Sequence, residues 1–484
     1  MSARLLISAA HKSSGKTTLS IGLCAALSAQ GLRVQPFKKG PDYIDPMWLA
    51  QASGRACYNL DPYLMTQAQI TALFNEHAQG ADISLVEGNK GLFDGLALDG
   101  SNSNAALAHQ LDLPVVLVID ARGMTRGIAP LILGYQAFDR KLRIAGVILN
   151  RMGGSRHESK LRAVIEHYTD VSVIGAVGED AQLAVNERHL GLMPSHEHDD
   201  AARQVQKIGQ RIAQQVDLQR LREMLNVAQP AAPASPAIHL VPQAQQVPAQ
   251  PAAPLRIGLA RDAAFGFYYP DDLRALEQAG AQLVPFNTLQ DASLPPDLDG
   301  LFIGGGFPEL FMHALQDNRS LRQEISTALA QGLPAYAECG GLMYLAQSLQ
   351  WRGQRCSMVG ALPGEVNMHE KPVGRGYVHL QASDHMPWEA LRGNCVRGHE
   401  FHYSSLDGLP ADTRYAWQVQ RGHGVNGQSD GIVLGNLLAS YSHLRNAAGA
   451  AWTQHFVDFV RSKQAKRKQV ALASAQPSSW RVAA

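Results

Sequence analysis

The sequence predicts an α/β protein of two domains, and three observations support this fold class. Short apolar runs rich in β-branched residues alternate with helix-like stretches in the first half of the chain, which is typical of a parallel sheet covered by helices. The same alternation returns in the second half, after a stretch dominated by Ala, Pro and Gln. From about Gly374 the pattern changes to closely spaced strands, which predicts an added antiparallel portion.

Length and composition place the chain among ordinary globular proteins. Its 484 residues suggest two or three domains at roughly 100–200 residues each. Hydrophobic residues make up 45% and charged residues 18%, which excludes disorder of the whole chain. Lys and Arg total 43 against 42 for Asp and Glu, so a broad basic surface for nucleic acid is not expected.

The sequence also indicates where the protein works. No apolar run reaches the ~18–20 residues that a membrane span needs, and the apolar stretch at the N-terminus is too short for a secretory signal. The five cysteines are widely spaced and form no CxxC pair. We therefore expect a cytoplasmic protein that acts on small molecules, without nucleic-acid or membrane partners. A homodimer is compatible with the sequence, which leaves the oligomeric state open.

Composition sets the predicted domain boundaries. Residues 226–254 contain no Asp, Glu, Lys or Arg and no sustained periodicity, which predicts a semi-extended linker. The first domain then covers residues 1–225 and the second covers residues 255–464, followed by a tail at 465–484 that is basic and then rich in Ala and Ser.

The strands predicted before the linker are Leu5–Ala9, Val34–Phe37, Ile83–Val86, Val115–Ile119, Ile144–Leu149 and Val171–Ala176. Those predicted after it begin with Ile257–Ala260, Leu283–Phe286, Gly300–Ile303 and Pro334–Ala337.

A phosphate-binding loop is predicted after the first strand. The text "AHKSSGKTT" follows Leu5–Ala9 and leads into a helix, and it ends like the G-x-x-x-x-G-K-[ST] motif, with Ala10 in place of the first glycine. Backbone N–H groups at such a helix N-terminus hold phosphate oxygens, while the lysine reaches the terminal phosphates and the first threonine can bind Mg²⁺. The candidate nucleotide-binding residues are Ser13, Ser14, Gly15, Lys16, Thr17 and Thr18.

Four carboxylates follow predicted strands of the first domain. Asp42 and Asp45 lie in "KKGPDYIDP", after the second strand, and "SLVEGNKGLFDG" places Glu87 at the end of a strand and Asp94 seven residues later. Ligands of open α/β sheets bind beyond the carboxyl ends of the strands, so these groups can converge near the phosphates. Glu87 is favoured as a Mg²⁺ ligand. For the three aspartates, a binding role and an ordinary role in turns or caps are equally compatible with the pattern.

The second domain contains a candidate thiol nucleophile. In "LPAYAECGGLMYL" a strand runs into a Glu-Cys-Gly-Gly turn and then a helix, which predicts a nucleophile elbow at Cys339. The helix N-terminus favours a thiolate, and Gly340, together with Gly305 in the loop "GGGFPE", could donate N–H groups to an oxyanion. The candidate base is His443 in "SYSHLRN", with His399 and His402 in "GHEFHYS" as rivals.

Together these motifs resemble one family. The phosphate loop, "GPDYIDP", "VEGNKGLFDG", "ERHLGLMP", "GGGFPE", "AECGGLMYL" and "GHEFHYS" occur in the order seen in cobyrinic and hydrogenobyrinic acid a,c-diamide synthases. The resemblance covers nearly the whole chain outside the linker and the tail. It implies a dethiobiotin-synthetase-like ATP domain joined to a class I-type glutamine amidotransferase domain. The implied reaction is the ATP- and glutamine-dependent amidation of the a and c carboxylates of the corrinoid.

The resemblance also implies roles for the candidate residues. Lys16 and its loop would bind ATP, and Thr17 and Glu87 would hold Mg²⁺, with Asp42 as a further ligand. Asp45 and Asp94 would bind or orient the corrinoid carboxylate and its acyl phosphate. Cys339 would attack glutamine with His443 as its proton partner.

Two residues depart from the common amidotransferase pattern. Ala337 stands where the elbow usually begins with glycine, and Arg445 stands where a glutamate usually follows the histidine by two residues. The cobalamin branch is similar in lacking that glutamate, so we expect a Cys–His dyad.

Two other functions remain as alternatives. A nickel-sirohydrochlorin a,c-diamide synthase shares these motifs. A partitioning-type ATPase also begins with a phosphate loop in a parallel sheet, but it has no counterpart of Cys339.

Overall fold

The structure is a computed structural model that describes residues 3–180, 187–188, 191–192, 200–227, 254–447 and 450–475. Nearly all of the predicted linker and half of the motif "ERHLGLMP" lie outside the described residues. The chain separates into two compact units, residues 1–246 and 247–484.

The first unit is built on a parallel sheet of seven strands. The strands are β1 (Ala3–Ala9), β2 (Val34–Lys39), β3 (Tyr58–Leu60), β4 (Ile83–Glu87), β5 (Val115–Asp120), β6 (Ile144–Met152) and β7 (Ser172–Gly178). Their order is β3-β2-β4-β1-β5-β6-β7, and every pairing is parallel. The chain first builds the sheet on one side of β1 and then crosses over to β5 on the other side. Such a change of direction opens a crevice at the carboxyl end of the central strands.

Helices connect these strands. They are α1 (Lys16–Ala29), α2 (Ile44–Ser53), α3 (Gln67–Ala78), α4 (Asn104–Leu111), α5 (Ile128–Phe138), α6 (Ser155–Tyr168), α7 (Ala201–Gln215) and α8 (Leu218–Val227). The backbone of β8 (Glu187–Arg188) and β9 (Gly191–Leu192) forms a small antiparallel pair. Helices α1 and α7 pack so closely that a Cβ on Gly22 would lie 2.2 Å from Cγ1 of Ile212, so no larger side chain fits there.

The second unit is built on a sheet of ten strands. Its strands, in spatial order, are β12 (Ala281–Phe286), β10 (Leu255–Ala260), β13 (Gly300–Ile303), β15 (Ala335–Glu338), β24 (Leu437–Ser440), β23 (Ser429–Leu434), β22 (Arg414–Arg421), β19 (Gly374–Ala382), β20 (Cys395–His402) and β25 (His443–Leu444). From β12 to β24 the pairings are parallel, and from β24 to β25 they are antiparallel. The predicted α/β class with an antiparallel addition is therefore confirmed.

Smaller elements complete this unit. A separate sheet contains β16 (Ser348–Trp351), β17 (Gln354–Ser357), β18 (Glu365–Met368) and β21 (Ser404–Asp407), and a two-stranded pair contains β11 (Phe265–Phe267) and β14 (Gly305–Gly306). The α-helices are α9 (Pro270–Gln278), α10 (Met312–Asp317), α11 (Arg319–Ala330), α12 (Gly340–Leu345) and α13 (Trp452–Ala475), and short 3₁₀ helices cover Pro308–Phe311 and Glu389–Leu391. Helix α13 continues past residue 464, where the sequence predicts the tail to begin.

Side chains of the central strand β15 face two different cores. Ala335 and Ala337 belong to a core that includes the α12 side chains. Tyr336 points to the other core, where its ring packs against Trp388 and Trp452. Because neighbours along a strand alternate in direction, Glu338 at the end of β15 lies on the same face as Tyr336. Within the described residues, no helix combines the length and hydropathy that crossing a membrane requires.

Candidate active site

The predicted phosphate loop connects β1 to α1, as the sequence indicates. Gly15 has a φ of 85°, a left-handed conformation that favours glycine. A Cβ on Gly15 would also lie 2.2 Å from Nδ2 of Asn150, which donates a hydrogen bond of 2.8 Å to the carbonyl of Ser14. The loop is thus fixed from the side of β6, with the first turn of α1 beginning at Lys16.

A polar cluster lies beside the first turn of α1. The Thr17 hydroxyl donates to Oε1 of Glu87 at 2.6 Å and lies 3.2 Å from Oδ2 of Asp45. Glu87 is fully buried, and its second oxygen, Oε2, has no hydrogen-bond partner among the described residues. The structure therefore brings together a hydroxyl and two carboxylates of the kind that bind a hard cation.

Lys38, at the end of β2, supplies the positive charge of this cluster. Its ammonium lies 2.5 Å from Oδ2 of Asp45 and 3.0 Å from Oε1 of Glu87. Burial acts to lower the pKa of Lys38, but Asp45 and Glu87 outweigh it and hold that pKa well above its ordinary value. For Lys16, by contrast, burial lowers the pKa. Sequence reasoning missed Lys38, and its only signal was a pair of lysines directly before "GPDYIDP".

The other two predicted aspartates lie nearby. Oδ1 of Asp42 accepts hydrogen bonds from the backbone N–H groups of Ile44 and Asp45, so this side chain caps the start of α2. Its other oxygen lies 3.9 Å from Nζ of Lys38. Asp94 is exposed and accepts a bond of 2.9 Å from the N–H of Gly91, in the loop after β4.

Cys339 forms a tight turn between β15 and α12. Its backbone has φ 47° and ψ −101°, which a residue with a side chain rarely adopts, and its side chain is largely buried. The N–H of Cys339 donates to the carbonyl of Ser440 on β24 at 2.7 Å. This is the strained strand-to-helix turn that the sequence predicts for a nucleophile.

Glycines let two loops touch at this turn. A Cβ on Gly340 would lie 2.9 Å from the backbone nitrogen of Gly306, and one on Gly341 would lie 2.2 Å from the carbonyl oxygen of Ile303. A Cβ on Gly305 would lie 2.6 Å from Cε1 of His443. The "GGGFPE" loop, the elbow and the histidine are therefore in direct backbone or ring contact.

His443 lies between Cys339 and a carboxylate. Its side chain is hydrogen-bonded to that of Cys339, and its Nδ1 lies 3.3 Å from Oε2 of Glu338. Burial acts to lower the pKa of His443, but the bonds to Cys339 and Glu338 raise it to about 10. This raised pKa favours the protonated form of the ring.

The two rival histidines occupy other positions. His399 is paired with His443 across the sheet and stacks on its ring at a centroid distance of 4.9 Å. Burial, followed by the nearby charge of His443, holds the pKa of His399 well below its ordinary value. His402 stacks on Tyr441, and its Nδ1 is bonded to the carbonyl of Ser404.

Arg445 is anchored away from the histidine. Its guanidinium lies 2.5 Å from Oδ2 of Asp271 and 3.8 Å from Oδ1 of Asp272, and it covers the ring of Tyr269. The residue that stands in the place of the common glutamate thus ties β25 to the start of α9.

Comparisons with known proteins bear on both units. Residues 6–192 match the family model of the CobQ/CobB/MinD/ParA nucleotide binding domain, and residues 256–450 match the CobB/CobQ-like glutamine amidotransferase domain. A cobyrinate a,c-diamide synthase of Magnetococcus marinus is 46% identical over 460 residues, covering 95% of this chain and 97% of the relative. The chain belongs to the cobyrinate a,c-diamide synthase family.

Other members of this family are similar over the same extent. The synthase of Methanosarcina acetivorans is 42% identical and covers 92% of this chain and 93% of its own length. The synthase of Listeria monocytogenes is 39% identical, and the match covers 93% of this chain and 98% of the relative. The family resemblance carried by the sequence motifs is confirmed, and the first unit contains a nucleotide-binding domain.

Proposed function

We propose that this protein uses ATP and glutamine to amidate the a and c side-chain carboxylates of cobyrinate or hydrogenobyrinate. The proposal rests on the relatives' activity and on the geometry of both units. The observation that carries it is the strained Cys339 turn with His443 hydrogen-bonded to it. A nucleotide-switched binding protein of the partitioning type has no use for such a thiol, whereas an amidating enzyme needs it to obtain nitrogen from glutamine.

The first unit would activate the carboxylate. A carboxylate reacts poorly with ammonia because hydroxide is a poor leaving group, and transfer of the γ-phosphoryl group of ATP turns it into an acyl phosphate. In this proposal the loop from Ser13 to Thr18 binds the nucleotide phosphates, and Lys16 stabilises the charge that develops during the transfer. The burial of Lys16, which lowers the pKa of its ammonium, places that charge in an environment where it acts strongly.

The polar cluster fits a Mg²⁺ ion that accompanies ATP. The free buried oxygen of Glu87 and the hydroxyl of Thr17 are oxygen ligands of the type that Mg²⁺ prefers, and Asp42 and Asp45 lie on the same side of the sheet. Thr17 and Glu87 would hold the ion, with Asp42 as a further ligand. The ion would neutralise negative charge of the phosphates. In the protein without nucleotide, Lys38 balances the negative charge of Asp45 and Glu87.

The corrinoid carboxylate would approach from the same edge of the sheet. Asp45 lies in the first turn of α2 next to Lys38, and Asp94 contributes to the electrostatic environment of Lys16. Both can therefore orient an incoming group near the phosphates. Asp94 would do so from its exposed loop and Asp45 from the cluster.

The second unit would release ammonia from glutamine. The thiolate of Cys339 attacks the carboxamide carbon, and the C–N bond breaks as protonated His443 donates its proton to the leaving nitrogen, which gives ammonia and a glutamyl thioester. Neutral His443 then accepts a proton from the water that attacks the thioester, and cleavage of the C–S bond releases glutamate and restores the thiolate beside protonated His443. Backbone N–H groups at Gly305 and Gly340 would stabilise the oxyanion.

A reducing compartment suits this chemistry. All five cysteines are free, including Cys339, whose thiol must stay reduced to act. We therefore place the reaction in the cytoplasm, with the corrinoid, ATP and glutamine as small-molecule partners.

Product analysis by mass spectrometry tests the proposal. The purified protein is incubated with ATP, Mg²⁺, glutamine and either cobyrinate, hydrogenobyrinate or nickel-sirohydrochlorin. Two successive mass changes on cobyrinate or hydrogenobyrinate, each equal to the replacement of OH by NH₂, support it. The same two changes on nickel-sirohydrochlorin alone would assign the alternative substrate, and no change with any of the three would refute the proposal.

A further inference from the structure

The structure shows a carboxylate beside His443 where the sequence predicts none. The position two residues after the histidine is Arg445, whose charge is opposite to that of the usual glutamate and which is held by Asp271 and Asp272. The carboxylate that meets Nδ1 of His443 instead belongs to Glu338, which immediately precedes the nucleophile. The two partners are 105 residues apart in the chain.

Glu338 is fixed by contacts that do not involve the histidine. Its Oε1 accepts a hydrogen bond of 2.6 Å from the Tyr336 hydroxyl and one of 2.9 Å from the N–H of Leu444. The side chain is only 4% exposed. Since Oε1 is already occupied by two donors, Oε2 is directed to Nδ1 of His443.

The neighbours of Glu338 also favour this arrangement. Burial, together with the adjacent carboxylate, keeps the pKa of Tyr336 well above its ordinary value, so its hydroxyl remains a donor. Leu444 follows His443 directly, so its N–H bond to Glu338 also fixes the backbone that carries the imidazole. The carboxylate of Glu338 therefore fixes both the imidazole ring of His443 and the backbone of strand β25.

We propose that Glu338 is the positioning residue of the glutaminase site and takes the part of the missing third member of the triad. It holds Nδ1–H of His443, so that the other ring nitrogen faces Cys339, and it stabilises the imidazolium that donates a proton to the leaving ammonia. This inference rests on the proposed function of the second unit. It replaces the Cys–His dyad expected from the sequence with a Cys339–His443–Glu338 triad in which two members are adjacent in the chain.

The charged and titratable groups that face His443 come from three elements packed around it. Among the described residues these groups are Cys339 on the elbow, Glu338 on β15 and His399 on β20, with Arg445 near His399. His399 is neutral and Arg445 is cationic, so neither can stabilise a positive imidazole. Glu338 is the carboxylate in this part of the described structure that can do so.

The test is the variant Glu338→Gln, which has nearly the same size but no charge. We expect its glutamine-dependent kcat/KM to fall at least ~10-fold. We also expect the alkaline limb of its pH profile to move down by about one unit or more, because the opposite charge that stabilises the imidazolium is lost. The matched control is Tyr336→Phe, which removes one donor to Glu338 and keeps its charge, so its alkaline limb should stay at the wild-type pH. An unchanged limb in Glu338→Gln would overturn the proposal.

Two further measurements separate the possible failures. Amide hydrogen exchange in β15 and β24 of the Glu338→Gln sample shows whether the second unit of the variant folds. Amidation by the wild type with ATP, glutamine and corrinoid shows whether the proposed function holds. If the variant does not fold, the proposal is tested on the wild type, in which nitrogen NMR of labelled histidine shows whether Nδ1 of His443 carries a proton. A ring of His443 protonated at Nδ1 at neutral pH supports the proposal, whereas a neutral ring with a bare Nδ1 contradicts it.

Discussion

The ammonium nitrogen of Lys38 lies 3.0 Å from Oε1 of Glu87, the same carboxylate oxygen that accepts the hydroxyl hydrogen of Thr17. Both charged side chains are buried at the carboxyl end of the central strands. A buried charge without a partner is costly, so each of these groups depends on the other.

We expect Lys38→Met to destabilise the first unit strongly. Removing one partner of a buried pair costs about 3–5 kcal/mol, because Glu87 and Asp45 then lack a counter-charge. Amide hydrogen exchange in β4 and α1 measures the free energy of unfolding of the first unit, separately from the second. Arg33→Met is the matched control, since it breaks the exposed ion pair with Asp82 and should change exchange far less. Equal effects of the two variants would contradict the account of the cluster.

A second prediction concerns the phosphate loop. Lys16→Ala should lower the rate of ammonia-supported amidation by at least ~100-fold, because it removes a positive charge at the site where phosphoryl charge develops. Lys207→Ala, an exposed lysine of α7, serves as the control and should retain wild-type rates. The measurement is amide product per unit time at saturating ammonia and ATP. A Lys16→Ala enzyme with near-normal rates would exclude the loop from catalysis.

A third prediction follows from the close contact of two loops in the second unit. Gly341→Ala would place a methyl group 2.2 Å from the carbonyl oxygen of Ile303, so the elbow must shift and glutamine hydrolysis should be lost. Gly134→Ala is the control in the other unit, because no described atom outside the local backbone of its helix lies within 4 Å of the added Cβ. That exposed helical change should stabilise α5 by roughly 0.5–1 kcal/mol. Normal glutaminase activity in Gly341→Ala would show that the elbow tolerates displacement.

The protonation of His443 predicts a pH dependence of stability. Its pKa is about 10 in the folded protein against 6.5 ordinarily, so its contribution is fully present below about 6.5 and is lost as the pH rises towards 10. The stability difference between wild type and His443→Gln should therefore shrink as the pH is raised from 6.5 to 10. Thermal unfolding of both proteins across this range measures the difference. A difference that stays constant would mean that His443 is neutral in the fold.

Much of the fold could be predicted because buried parallel strands leave continuous apolar runs in the sequence. All six strands predicted in the first unit are present, and β3 was missed because it has only three residues. The separate sheet of β16, β17, β18 and β21 was also missed. Its strands have four residues each, which is too short for a clear alternation of apolar and polar positions.

The sequence predicted the parts of the candidate site that lie within one short motif. It did not predict contacts between residues that are far apart in the chain. The turn at Cys339 follows from a strand, a double glycine and a helix within a few residues. Glu338 is in that same motif, yet its contact with His443 depends on β15 and β25 meeting through the folded sheet. Lys38 was missed for the same reason, since its partner Glu87 lies on a neighbouring strand 49 residues away.

In the proposed reaction, the first unit activates a carboxylate while the thiol of Cys339 in the second unit obtains nitrogen from glutamine. Cys339→Ser tests it most directly, with corrinoid, ATP and Mg²⁺ present and either glutamine or ammonia as the nitrogen source. We expect amidation with glutamine to be abolished and amidation with ammonia to continue. Undiminished amidation from glutamine in Cys339→Ser would contradict the account.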